Sequence, residues 1–112
     1  MKIKEGAFSL FKRDTSTGSL TFVEKYGGTS SLDKPVYAVV SPDNAHVYVA
    51  ASYSSKVAWF MRNSLTGKLK YIGAYVNGNI TTTYAVIISP DGNNVYAVSK
   101  DLSAIVSFSR DK

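Results

Sequence analysis

The stretch SPDNAHVYVA, residues 41–50, returns as SPDGNNVYAV, residues 89–98, 48 positions later. A ten-residue phrase written twice in a chain of 112 residues points to stacked copies of one supersecondary unit. Each copy opens on Ser-Pro-Asp, which sets Pro42 or Pro90 at the second position of a tight turn, where its fixed φ is favourable. Asn44 or Gly92 follows, and both residue types tolerate positive φ. A run of Val, Tyr and Ala then reads as a strand. The phrase is a turn that feeds a strand, twice.

The match extends outward on both sides. Phe11, Phe60 and Phe108 are spaced by 49 and 48 residues, and RDTSTGSL (13–20) pairs with RNSLTGKL (62–69). No segment carries the i, i+3, i+4, i+7 apolar stripe of a helix. Four strand types make up the unit. The first is VYAVV (36–40), matched by AVII (85–88), and the second is HVYVAA (46–51), matched by NVYAVS (94–99). The third is VAWFMR (57–62), matched by AFSLFKR (7–13) and IVSFSR (105–110). The fourth, KLKYIGAYV (68–76), is matched by SLTFVEKY (19–26) and is the most polar.

The first type is apolar on successive residues, as in a strand covered on both faces, so Val39 and Ile87 are expected in the core. Gly18 and Gly67 end the loops between the third and fourth types, and Gly67 and Gly92 are expected at positive φ. A unit of about 48 residues grading from buried to half-exposed strands predicts an all-β fold of β-propeller blades, each a four-stranded antiparallel meander. Residues 7–26 supply strands three and four of one blade, 36–76 a complete blade, and 85–110 strands one to three of another. That makes about 2.25 blades, too few to close a wheel. Identical chains meeting head to tail close one by rotation; one third-type strand is then redundant, leaving eight strands per chain, so three copies make six blades and four make eight, and six is the expectation. The alternative is a unit cut from a larger propeller, natural or engineered.

The chain is 45% hydrophobic and 19% charged, a globular composition, with eight Tyr and five Phe. It has no cysteine and one histidine, so neither a disulfide framework nor a thiolate centre is open to it, and neither metal nor cofactor is expected. No apolar run reaches signal-peptide or membrane-helix length, since Lys12 and Arg13 interrupt the first. A soluble protein without a membrane partner is expected. The net charge of +5 is scattered. Arg13, Arg62 and Arg110 each follow a phenylalanine by two residues and read as one structural turn position repeated, so nucleic acid is not an expected partner.

The runs FKRDTSTGSLTFVEKYGG, PVYAVVSPDNAHVYVAAS and VAWFMRN resemble the lactonase-like, YVTN-type β-propellers over nearly all of residues 7–112. The resemblance implies seven-bladed relatives, among them sugar-lactone hydrolases related to 6-phosphogluconolactonase. It carries fold rather than chemistry, because the matching residues belong to turns and cores. YVAA and YAVS stand where the naming tetrapeptide would be, and no catalytic residue of those enzymes maps onto a matching motif.

The internal repeat itself indicates where function sits. The turns after strand types one and three agree between copies, whereas SYSSK (52–56) differs from KDLSA (100–104), and GGTSSLDKP (27–35) from NGNITTT (77–83). In a meander the two variable loop types emerge on one rim. Asp33, Lys34, Tyr53, Lys100 and Asp101 are therefore the candidate ligand-binding residues, with Asn79 and Thr81 behind them. His46, after the first turn, reads as a turn or surface residue, the repeated aspartates as turn caps, and Trp59 as core between blades. The expected function is a non-catalytic propeller module that self-assembles into a ring and presents this rim to a small-molecule, sugar or protein ligand. The alternatives are a lactonase-like hydrolase and a carbohydrate-binding lectin.

Overall fold

The computed structural model describes residues 6–27, 32–52, 55–76, 82–100 and 103–111. Three antiparallel sheets follow one another along the chain. The first holds β1 (Ala7–Arg13) and β2 (Leu20–Gly27). The second is a meander of β3 (Pro35–Val40), β4 (His46–Ala51), β5 (Lys56–Arg62) and β6 (Leu69–Val76), each strand paired with the next. The third holds β7 (Thr83–Ile88), β8 (Asn94–Ser99) and β9 (Ala104–Ser109).

Register shows that these are copies of one design. The β5–β6 pairing slips between Trp59 and Phe60, and β1–β2 slips between Leu10 and Phe11, 49 residues earlier. The β3–β4 pairing slips between Pro35 and Tyr37, and β7–β8 between Thr83 and Ala85, 48 residues later. β1–β2 thus has the structure of strands three and four, and β7–β9 that of strands one to three. The turns hold as expected: Gly18, Gly67 and Gly92 have φ of 79, 77 and 75°, and Asn44 stands at 63° in place of a glycine.

Two cores lie between the sheets. Between the second and third, Tyr48, Ala50 and Val57 meet Val86, Val95 and Ala97, with Trp59, Tyr75 and Phe108 at the margin. Between the first and second, Val47, Val49, Ala58 and Phe60 meet Leu32, Phe8 and Tyr26. Trp59 therefore packs between sheets, and its ring lies over Gly73, where a Cβ would come within 3.1 Å of it.

Two expectations about burial need correction. Ile87 is 54% exposed, and it is Val86 beside it that is fully buried; Val39 is only partly covered. Val39 faces the third sheet and Ile87 is its equivalent one sheet on, where no further sheet lies among the described residues. The first strand type is also not the most covered. Val36, Tyr37 and Val40 of β3 are exposed, whereas five of the six residues of β4 are buried. β4 has a strand on each side and a sheet against each face, while β3 is an edge strand at the axial end of the blade.

Candidate functional site

The rim formed by the repeated turns is held by carboxylates. Asp43 and Asp91 accept hydrogen bonds from the hydroxyls of Ser41 (2.5 Å) and Ser89 (2.6 Å), and from the N–H groups of Ala45 and Asn93. Asp14 caps its own turn by accepting from the N–H groups of Ser16 and Thr17 at 2.8 and 3.1 Å. Those backbone bonds hold its carboxyl below the usual carboxylate range. The aspartates do the turn-capping that their spacing predicts.

One side chain joins this rim across two sheets. Arg110, at the end of β9, is buried; its Nη1 donates to Gly92 O of its own sheet at 2.8 Å. Its Nε donates to the Tyr48 hydroxyl at 3.0 Å, and its Nη2 to both Asp43 oxygens at 2.8 Å, all on the second sheet. His46 Nδ1 lies 2.9 Å from the same Nη2. A guanidinium has only donors, so Nδ1 accepts and the imidazole proton sits on Nε2. The Ser41 hydroxyl, the Arg110 guanidinium and the Ala45 N–H together hold the Asp43 carboxyl well below the usual carboxylate range. Burial disfavours the guanidinium charge, but the hydrogen bonds it donates to Asp43 and Tyr48 outweigh that and raise the Arg110 pKa. The network ties the third sheet to the second as a structural clamp. Its arginine was legible as a repeated turn position, but its reach to the neighbouring sheet was not.

A lesser bridge joins the first and second sheets. The Tyr26 hydroxyl donates to Glu24 at 2.6 Å and accepts from the N–H of Leu69 at 3.0 Å. Burial, and then the adjacent carboxylate, push the Tyr26 pKa up. The equivalent of Tyr26 in the second sheet is Tyr75, which packs edge-on to Phe108 at 4.7 Å. A cavity of about 240 Å³ opens there, lined chiefly by Tyr48, Val57, Trp59, Tyr75, Phe108 and Arg110. Leu69 of β6 fills the corresponding place between the first and second sheets. The third sheet has no fourth strand among the described residues.

On the variable rim, the predicted residues separate. Asp33 is 1% exposed, below the surface at the entry to β3. Lys34 follows at φ 57°, half-buried, and its carbonyl accepts from the N–H of Ser52 at 3.0 Å. Lys100 is exposed, and its N–H donates to Thr82 O at 3.3 Å. Tyr53 and Asp101, and with them Asn79 and Thr81, lie outside the described residues. The two loops use the same frame despite their different sequences. Lys34 and Thr82 are both left-handed, as are Ser55 and Ser103, and each pair is 48 residues apart. The Thr82 N–H also donates to Ser55 Oγ at 3.1 Å, linking the second and third sheets on this rim. Thr83 and Ser99, both buried, are partners in the β7–β8 register, a grouping that sequence reasoning missed. Among the described residues no three His, Asp or Glu side chains converge on a metal site.

Four-stranded meanders stacked face to face, with tight turns on one rim and irregular loops on the other, define a β-propeller. The sequence pattern of the family described as "Lactonase, 7-bladed beta-propeller" matches residues 5–86, and the chain belongs to that family. Among solved structures, the chain is similar to a "putative 6-phosphogluconolactonase" from Bacteroides fragilis, with 20% identity and a TM-score of 0.78 over 92% of this chain and 29% of that one. The Pseudomonas aeruginosa periplasmic gluconolactonase PpgL gives 16% identity and a TM-score of 0.79 over 95% of this chain and 30% of that one. The chain thus spans under a third of the length of these structures, and at such identities the likeness shows the fold. A search of curated proteins found no match.

Proposed function

We propose that this chain is a ring-forming unit of a lactonase-type propeller, copies of which associate head to tail and present the variable loops on one rim to a ligand. The observation that supports it is a contrast between equivalent positions. Phe60 is 3% exposed against the first sheet, while its counterpart Phe11 is 46% exposed; Val57 is 3% exposed, while its counterpart Ile105 is 72% exposed. Leu20 and Phe22 accompany Phe11 on one end face, and Ile87 accompanies Ile105 on the other. Phe11 and Phe22 meet edge-to-face at 5.9 Å as Phe60 and Tyr71 do at 5.7 Å, so the end face has the shape of an internal one. These five side chains are already about half covered, so burying the remainder is worth on the order of 5 kcal/mol, at about 1 each. That gain is comparable with the cost of association, so assembly is expected to depend on concentration. Light scattering after gel filtration is expected to give about three times 12.1 kDa, and a particle of 12.1 kDa at all concentrations would refute the ring.

Family membership favours a second reading, hydrolysis of a sugar lactone at the axial end of the variable rim. Asp33, a buried carboxylate at the entry to the axial strand β3, is the described residue that such chemistry would engage first. Water adds to the lactone carbonyl and the ring C–O bond breaks, releasing a hydroxy acid and a proton. Acid release from a sugar lactone by the assembled protein, lost in Asp33→Asn, is the expected outcome; release no faster than in buffer refutes it.

A further inference from the structure

The clamp made by Arg110 has a half-built copy. Arg62 stands 48 residues earlier, at the end of β5, and its N–H donates to Ala45 O at 2.8 Å, as that of Arg110 donates to Asn93 O at 2.8 Å. Its Nη1 donates to Asn44 O at 3.3 Å, as that of Arg110 donates to Gly92 O at 2.8 Å. The arginine is thus anchored to its own turn in the same way in both sheets. The other half of the clamp belongs to the turn between strands one and two of the preceding sheet, and the sheet preceding Arg62 is β1–β2, which has no such turn among the described residues.

The acceptor half recurs at the other end of the molecule. Asp91, Asn94 and Tyr96 occupy the β7–β8 turn and strand as Asp43, His46 and Tyr48 occupy the β3–β4 turn and strand. Asp91 is capped by Ser89 and Asn93 just as Asp43 is capped by Ser41 and Ala45, so its carboxylate is aimed alike. Asp91 is exposed, and Arg62 and Tyr96 are half-exposed.

We infer that Arg62 of one copy docks on the Asp91–Asn94–Tyr96 turn of a second copy, reproducing between chains the contact that Arg110 makes within one. The inference rests on the self-association proposed above and adds its polarity: copies stack in the same sense as the second and third sheets. A guanidinium offered at one end and a carboxylate at the other makes the contact self-propagating and specific for direction. β1 and β9 hold the same rank in their sheets, so one of them vacates that rank where copies meet. The Arg62–Asp91 pairing is the same whichever leaves.

The test is charge reversal in the full chain, read by sedimentation velocity across a concentration series. Arg62→Glu and Asp91→Lys are each expected to raise the apparent dissociation constant roughly tenfold or more, and the double variant to return most of that loss. Circular dichroism confirms that each variant keeps its strands. If the wild type assembles and the single reversals assemble equally well, the pairing is overturned while the ring stands. Loss in both single variants without recovery in the double also overturns the pairing. A wild type that stays monomeric overturns both, and points instead to further blades of a longer chain as the occupants of the two ends.

Discussion

Replacing Arg110 by methionine keeps most of the aliphatic stem and removes the guanidinium that ties the third sheet to the second. Two of the lost hydrogen bonds, to the Tyr48 hydroxyl and to Gly92 O, end on acceptors in a buried setting. Hydrogen bonds to charged groups are worth about 1.5–3 kcal/mol each, and removing the partner of a buried group sits at the upper end of mutational effects. The Asp43 side chain is 40% exposed, so water replaces its lost partner and it adds little to the loss. A destabilisation of about 3 kcal/mol follows, or roughly 12 °C in melting temperature at about 4 °C per kcal/mol for a chain of this size. Arg110→Lys separates charge from shape. A lysine ammonium cannot span Tyr48, Gly92 and Asp43 at once, so it is expected to lose most of the same stability. Thermal unfolding followed by circular dichroism at one fixed concentration is the assay. A shift within the ~0.5 kcal/mol of an ordinary surface substitution, for either variant, would refute the clamp.

Acid should weaken the same clamp. The Asp43 pKa is depressed in the fold, so its contribution is present above the unfolded carboxylate value near 4 and is lost as pH falls below it; Asp43→Asn should flatten the stability curve below pH ~4. Gly92→Val, at φ 75°, is expected to cost more than the ~1 kcal/mol of ordinary propensity, and a neutral effect on the denaturant midpoint would contradict the turn. Val86→Ala removes two methyl groups from a fully buried site and should cost roughly 2 kcal/mol by urea unfolding, and a loss under ~0.5 would mean the site is not core.

The turns were legible because their chemistry is local. Pro42 and Pro90 fix φ, and the residues that take positive φ follow within two positions, so nothing distant is needed to read them. Burial was less legible, since AVII offers adjacent apolar residues without alternation. Which of Val86 and Ile87 is covered depends on which neighbouring sheet is present, a fact that lies outside the segment. The clamp was hidden for a different reason: Arg110 and Asp43 are 67 residues apart, and a period shows that positions are equivalent without showing what they touch. At the variable rim, sequence difference located the loops but not their depth. Asp33 is drawn under the surface beside Leu32, which anchors the core between the first two sheets.

Among the described residues the first sheet has two strands, and a two-stranded ribbon is marginal in water by itself. What secures it is the Phe8–Tyr26 stack against Phe60 and one hydrogen bond from Leu69 to the Tyr26 hydroxyl. Amide hydrogens of β1 and β2 should therefore exchange with solvent deuterium by local opening, well before those of β4 and β5. The central strands are released only when the whole unit unfolds. Partner blades that cover Phe11 and Phe22 would slow exchange in this ribbon most, so the protection of β1 and β2 becomes a gauge of ring closure in solution.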